Sequence, residues 1–176
     1  MQQYLITTDE VSKLARTMSV HIDAEKIETY IRESENIDLK SALGDTLFLD
    51  VKEHPDNYSE LLDGSSYDVQ CGGRRSFVGL KAALAYYTYA RMVKNGDGNV
   101  TRFGFMNKGN EYSSHSDFKE KLMAYNDAFS MADRYLKECV RYLNDNRESF
   151  PLYRGNGGLA ANRITCLLYT SPSPRD

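Results

Sequence analysis

The sequence predicts a mostly α-helical protein: a helical bundle with one long C-terminal helix and a small β-hairpin. Three observations indicate this fold class. Apolar residues from Phe118 to Leu143 recur at alternating spacings of four and three, the stripe of a long helix that packs on other helices. An alanine-rich run after Gly79 also has apolar residues at helical spacing. Glycines separate two short apolar runs between residues 60 and 80, as in a hairpin.

The first helices are marked by residues that cap their N-termini. Thr7 lies three residues before Glu10, which is the spacing of a capping box. Asp23 is a cap for the next helix, which continues with apolar residues on one face. Gly44 interrupts that apolar pattern, so we expect two helices to meet between residues 37 and 44.

The middle of the chain is predicted to contain a hairpin, a helix and a long loop. We predict a small β-hairpin that turns at Cys71 to Gly73, followed by a helix whose alanines permit close approach of its neighbours. The segment from residue 96 to 115 has glycines at both ends and shows no helical pattern, so we predict a long loop. A loop of this length in a compact domain is usually functional or disordered.

Composition limits the function classes. The formal net charge is -3 and no block of Lys and Arg occurs, which disfavours nucleic-acid binding through a basic face. Cys71 and Cys139 have no CxxC spacing, so a reduced, intracellular protein is the simplest interpretation. No apolar run approaches the roughly 20 residues that span a bilayer, and we predict no membrane partner. Residues 1–165 are expected to form a single domain.

Candidate metal and catalytic motifs fail on inspection. Asn95, Asp97 and Asn99 occupy positions one, three and five of a calcium loop. Val100 and Met106 then stand where that loop needs glycine and a bidentate glutamate. The three histidines form no ligand pair, and the glycines of CGGRR do not belong to a phosphate-binding loop. The sequence therefore predicts no catalytic, cofactor or metal site.

The tyrosines point to an interaction surface. The chain has thirteen tyrosines and no tryptophan, and the segment YYTYAR places Tyr86, Tyr87 and Tyr89 on different sides of one helix. One face cannot bury all three rings. Tyrosine suits interfaces because its ring is apolar and its hydroxyl is polar, although half of these rings could equally be at the edge of the core.

The last eleven residues, Cys166 to Asp176, are expected to lie outside the fold. Pro172 and Pro174 exclude a continuing helix or a central strand. The segment CLLYTSPSPRD resembles a translation of the transposase-adapter sequence of short-read DNA libraries. We therefore predict a non-native, disordered tail whose deletion leaves stability unchanged.

Several segments occur in an order that resembles a known group of proteins. They are IDLKSALGDTLFLDV, ELLDGSSY, FVGLKAALAYYTYARMVKNGDGNVTRFGF, NKGNEYSSHSD and YLNDNRESFPLY. Together they are similar to an uncharacterised family encoded in phages and prophages of gut Bacteroidetes, and they look like head-tail connector (adaptor) proteins of tailed phages. The most specific parts are Leu43 to Asp45, the GLKxALAYYxYAR helix and Thr101 to Gly104. The chain departs at Ala42, where a larger apolar residue is expected, and in the last helix only the pattern matches.

The resemblance implies a structural virion protein without enzymatic activity or cofactor, assembled in the bacterial host cytoplasm. It would form a homo-oligomeric ring of about twelve copies beneath the portal, with DNA passing through the channel without specific binding. Its partners would be the portal protein and tail or stopper proteins. Residues Thr101 to Lys108 would be a mobile arm that partners order. The hypothetical interface residues are Tyr86, Tyr89, Arg91, Thr101, Phe103, Gly104, Phe105 and Lys108.

Three points stay open at this stage. Phe103 and Phe105 each forgo roughly 1.5–3 kcal/mol if left in water, so either a partner covers them or the loop tucks them into its own core. The first alternative function is a monomeric helical protein-interaction module of phage or prophage origin, without a ring. The second is a small hydrolase that would use Asp45, Asp50, Glu53 and His54, although a solvated helix face explains these residues more simply.

Overall fold

The structure is a computed structural model that describes residues 4–16, 18, 22–69, 72–95, 98–101, 104–107 and 118–155. The N-terminal half contains α1 (Thr8–Leu14), α2 (Ala24–Ser34), a π-helical segment (Glu35–Leu39), α3 (Lys40–Leu43), α4 (Asp45–Glu53), a 3-10 turn (Pro55–Tyr58) and α5 (Ser59–Asp63). A hairpin of β1 (Ser65–Asp68) and β2 (Arg74–Phe77) follows, then α6 (Leu80–Asn95), a second hairpin of β3 (Gly98–Thr101) and β4 (Gly104–Asn107), and α7 (Phe118–Asp145). The predicted fold class, with its long C-terminal helix and small hairpin, is confirmed. The tail from Cys166 to Asp176 lies outside the described residues.

The predicted N-terminal caps are present. The Thr7 hydroxyl accepts a hydrogen bond from the amide of Glu10 at 3.2 Å, and the Glu10 carboxylate accepts one from the amide of Thr7 at 2.8 Å. This reciprocal pair is the capping box. The Asp23 carboxylate accepts from the amide of Glu25 at 3.2 Å and begins α2.

The helix that begins with α2 runs further than the sequence indicated. It passes through the π-helical segment into α3 and ends at Gly44, which has a φ of +80°. The prediction of a junction between residues 37 and 44 is therefore confirmed only at its last residue. The 3-10 turn and α5 were not predicted, because elements of four and five residues are too short for a periodic pattern.

Helix α6 is the centre of the bundle. It packs against α1, α2, α5 and α7. Its buried side chains point in all directions around the axis, as expected of a helix surrounded by others. They are Leu80, Ala82, Ala83, Leu84, Ala85, Tyr87, Thr88 and Ala90. The four alanines let the neighbouring helices approach closely on several sides.

The apolar stripe of α7 is buried over only part of its length. Leu136, Cys139 and Leu143 are in the core, whereas Leu122 is 42% exposed. The cause is a difference in length, because α6 has 16 residues and α7 has 28, which correspond to about 24 Å and about 42 Å. Near the C-terminal end of α6, the ammonium of Lys94 lies 5.0 Å from the centre of the Tyr125 ring. The first turns of α7 therefore extend past the end of α6.

The segment predicted as a long loop contains a second hairpin, which corrects the prediction for residues 96 to 115. β3 and β4 pair antiparallel, with Val100 opposite Phe105 and Thr101 opposite Gly104. The hairpin was missed because the two residues that join the strands, Arg102 and Phe103, are not the Asn and Gly typical of such a turn. Those two residues and residues 108 to 117 lie outside the described part of the chain.

The first hairpin turns where predicted and is closed at its base by two glycines. Gly64 and Gly79 have φ values of +90° and +98°. A Cβ atom on Gly79 would lie 2.4 Å from the carbonyl oxygen of Leu62 and 2.5 Å from the amide nitrogen of Gly64. The two backbone segments that enter and leave the hairpin are thus in direct contact, with no space for a side chain between them.

Candidate functional site

The β1–β2 hairpin is fixed to α7 by polar and aromatic contacts. Asp145 accepts hydrogen bonds from the Tyr67 hydroxyl at 2.8 Å and from Nη1 of Arg75 at 2.7 Å. The buried ring of Phe77 stacks on Tyr142 with 4.5 Å between ring centres. This hairpin is therefore part of the folded body.

The β3–β4 hairpin differs from the first. Among the described elements, β3 and β4 contact chiefly each other, and neither packs extensively on a helix. A two-stranded hairpin on its own is marginally stable in water. This segment, residues 98–107, is called the arm below, and it is the candidate site for binding another surface.

The arm contains four of the residues predicted at an interface, and the structure describes three of them. Thr101 and Gly104 are brought together as cross-strand neighbours at the end of the hairpin. Phe105 is in β4 opposite Val100. Phe103 and Lys108 lie outside the described residues, so their predicted roles and the choice between a covered and a tucked-in Phe103 stay predictions.

The tyrosines of α6 lie on different sides of the helix, as the sequence indicated. Tyr87 is buried, and its hydroxyl donates to Oδ1 of Asp133 on α7 at 2.5 Å. Tyr86 is half-buried and packs edge-on against Tyr135, with 5.6 Å between ring centres. Tyr89 is also half-buried. Tyr86 and Tyr89 thus keep part of their surface available for the predicted interface.

Arg91, the third predicted interface residue on α6, is engaged inside the bundle. Its side chain is 13% exposed, and Nη1 lies 2.7 Å from Oδ2 of Asp38 and 3.1 Å from the Ser34 hydroxyl. The Nε atom lies 3.8 Å from Glu33. Burial raises the pKa of Asp38, and the guanidinium of Arg91 partly offsets that effect. The structure therefore gives Arg91 an internal role that joins α6 to α2 and the π-helical segment.

A second buried charge was not predicted from the sequence. Glu35 is completely buried, and its carboxylate accepts hydrogen bonds from the amide of Leu5 at 2.6 Å and from the ammonium of Lys52 at 2.7 Å. This residue joins the N-terminal segment, the π-helical segment and α4. The sequence gives only a weak indication that Glu35 is buried, which is that it follows Ile31 by four residues and so lies on the same helix face.

The residues considered for a hydrolase do not converge. Asp45 pairs with Lys40 at 3.4 Å, and Asp50 accepts a hydrogen bond from the Tyr58 hydroxyl. Glu53 and His54 are exposed. Burial raises the pKa of the Cys139 thiol to about 12, so this thiol stays protonated at neutral pH.

Neither a metal site nor a membrane span is found in the described ranges. No group of three or more His, Cys, Asp or Glu residues there is arranged to hold a metal ion. No helix within those ranges is long and apolar enough to cross a membrane.

One cavity of about 220 Å³ lies between the N-terminal segment, α4 and α5. Its charged lining residues are Lys52, Lys81, Asp56 and Asp63. Lys52 is paired with Glu35 at 2.7 Å, and Lys81 with Asp63 at 2.8 Å. The two ammonium groups are therefore already neutralised, and Asp56, which has no ion-pair partner among the described residues, is the one unpaired charge of the lining.

The raised pKa of Tyr58 predicts a loss of stability at high pH. Burial and the neighbouring Asp50 raise its pKa to about 12, above the value of about 10 in an unfolded chain. Between pH 10 and pH 12, Tyr58 therefore binds more protons in the folded state than in the unfolded chain. Its contribution to stability is complete below pH 10 and is lost as the pH rises towards 12. Chemical denaturation between pH 8 and pH 11 should show that the free energy of unfolding falls more steeply with pH for the wild type than for Tyr58→Phe. Equal slopes would contradict this prediction.

Comparisons with known proteins give a family and no function. No curated protein and no solved structure matches the chain. The profile of one protein family matches residues 39–163, a range that includes α4 to α7, both hairpins and the Gly64–Gly79 contact. The chain belongs to the family of unknown function DUF6712.

Proposed function

We propose that the chain is a structural virion protein, a head-tail connector that forms a homo-oligomeric ring of about twelve copies beneath the portal. The observation that carries this proposal is the arm, a hairpin between α6 and α7 whose described strands do not pack extensively on the described helices. The resemblance of the segments around Leu43 to Asp45 and Thr101 to Gly104 to phage connectors supplies the class of assembly.

The contrast between the two hairpins supports an assembly role for the arm. The first is held by hydrogen bonds to Asp145 and by a buried ring, whereas the described strands of the arm contact chiefly each other. An unsupported two-stranded hairpin gains stability when another surface covers it or another strand pairs with its edge. A neighbouring copy, the portal protein or a tail or stopper protein would provide that surface.

Charge and exposed aromatic surface agree with the proposal. The net charge of -3 suits a channel that DNA passes without being held. Tyr86 and Tyr89 are half-buried and can contribute aromatic contacts at an interface. The proposed role requires no reaction, cofactor or metal.

The test of the proposal is incorporation into phage particles. In one variant, Gly and Ser residues replace positions 98–107 at equal length, and a second variant carries Phe103→Ser with Phe105→Ser. A matched control carries Arg74→Ser in the hairpin that is fixed to the body. All three should melt close to the wild type, and only the two arm variants should be lost from portal-containing particles.

Two outcomes would contradict the proposal. Absence of the wild-type chain from purified virions would reject the connector role. Normal incorporation of both folded arm variants would remove the arm from the interface. A chain that stays monomeric while binding a single phage or host protein would favour the interaction module without a ring.

A further inference from the structure

The outer face of α7 carries a row of basic side chains. Arg134, Lys137 and Arg141 are exposed and follow each other at spacings of three and four. None of them forms an ion pair within the described ranges. At 1.5 Å per residue they span about 10 Å along one side of the helix. We call these three residues the basic stripe.

The basic stripe points away from the bundle. At about 100° per residue, it lies roughly opposite the face of α7 that buries Leu136 and Cys139 against α6. The helices that α7 packs on cannot reach it. The stripe therefore has no ion-pair partner among the described residues, and Arg141 at its end borders a cavity that Tyr67 and Arg75 of the first hairpin also line.

A second charged surface is acidic. Four exposed acidic residues follow each other at spacings of three and four from the end of α4 through α5. They are Glu53, Asp56, Glu60 and Asp63, and we call them the acidic face. Within the part of the chain described, Glu53 and Asp56 have no ion-pair partner. Most of the negative charge of this face is thus unneutralised.

Two contacts locate the acidic face beside α6 and α7. Asp63 pairs with Lys81 at 2.8 Å. Lys81 lies roughly 170° around α6 from the side that meets α7 through Tyr86, Tyr87 and Lys94. Glu60 also accepts a hydrogen bond at 3.2 Å from Tyr142 of α7, which lies roughly 100° around that helix from the basic stripe.

We infer that the basic stripe of one copy docks on the acidic face of a second copy. The inference rests on the proposed ring, and it names the surfaces that would join neighbouring copies. The charges are complementary, and complementary charge orients two proteins and speeds their association. Because the surfaces differ, the contact is head-to-tail, and repeating it produces a closed ring or a filament. DNA is a poorer occupant of the stripe, since the chain has a net charge of -3 and Glu138 flanks the stripe.

The experiment measures self-association of the full chain by sedimentation at low and high NaCl. Arg134→Glu with Lys137→Glu reverses the stripe, and Glu53→Lys with Asp56→Lys reverses the acidic face. Glu60 and Asp63 are left intact because they bind Tyr142 and Lys81. Each reversed variant should raise the dissociation constant about tenfold or more, and high salt should weaken the wild type in the same direction.

Rescue and matched controls separate this contact from an effect of net charge. A chain with all four substitutions keeps the net charge and should associate again, because its charges are exchanged between the two surfaces. Arg32→Glu with Lys119→Glu, and Glu25→Lys with Glu28→Lys, repeat the charge changes at other exposed positions and should associate like the wild type.

Three results would overturn the inference. The first is a wild type that stays monomeric at low salt. The second is a loss of self-association in the control variants equal to that in the reversed variants, and the third is failure of the fourfold variant to associate. A stripe reversal that abolishes binding to a DNA duplex and leaves self-association intact would assign the stripe to DNA instead. If the inference fails while the wild type is still found in particles, the connector proposal stands with a different interface. Absence from particles rejects the connector whatever the association constant.

Discussion

Gly79→Ala is expected to lower the free energy of unfolding by more than about 3 kcal/mol. The added Cβ would lie 2.4 Å from the carbonyl oxygen of Leu62 and 2.5 Å from the amide nitrogen of Gly64. These are backbone atoms at the base of the first hairpin, so relieving the clash means moving the hairpin away from α5 and α6. The φ of +98° is also unfavourable for alanine. Urea denaturation followed by circular dichroism measures the loss.

Gly73→Ala is the matched control. Gly73 has a φ of +104°, and nothing lies within 4 Å of the Cβ that alanine would add. Only the backbone conformation is strained there, so we expect a loss of about 1–2 kcal/mol. Similar losses in the two variants would mean that the close contact of Gly79 does not restrict the fold.

Lys52→Met is expected to destabilise the protein by about 3–5 kcal/mol at neutral pH, because it breaks a buried ion pair from one side. The Glu35 carboxylate is completely buried and loses the ammonium 2.7 Å away. Methionine retains an apolar chain beside the rings of Tyr4 and Phe48, whose centres lie 5.9 Å and 5.7 Å from Nζ. Chemical denaturation compares the variant with the wild type.

The double variant Glu35→Gln with Lys52→Met identifies the cause. Glutamine removes the negative charge and keeps an oxygen that can accept the hydrogen bond from the amide of Leu5, 2.6 Å from the carboxylate. Most of the lost stability should return. A double variant as unstable as Lys52→Met would show that the loss comes from packing of the lysine chain rather than from the unpaired carboxylate.

Features encoded by neighbouring residues were predictable from the sequence. The capping box of Thr7 and Glu10, the cap at Asp23 and the helix end at Gly44 each depend on a few adjacent residues. The same is true of the first hairpin, whose glycines mark its turn. The fold class followed because long periodic segments carry the strongest signal.

The remaining features depend on residues that are distant in the chain. Arg91 was expected at an interface because it follows the tyrosines, but Asp38 and Ser34 engage it from another helix. The spacing of apolar residues along the sequence cannot show which distant residues will pair. The long stripe of α7 gave no sign that Leu122 would be exposed, since this depends on where α6 ends. The β3–β4 hairpin was missed because the two residues between its strands, Arg102 and Phe103, are not the asparagine and glycine typical of such a turn.

The π-helical segment aligns the apolar faces of α2 and α3, which would point in different directions on a continuous α-helix. On an uninterrupted α-helix, the buried residues Leu39 and Leu43 would lie roughly 130° around the axis from the stripe of α2. A π turn accommodates one extra residue, about 100° of rotation, and brings both halves onto the core. Deleting a single exposed residue such as Ile37 would remove the need for the π turn, because the segment could then form a regular α-helix with Leu39 and Leu43 still on the core side. The number of residues between the two apolar halves therefore decides whether this segment is α-helical or π-helical.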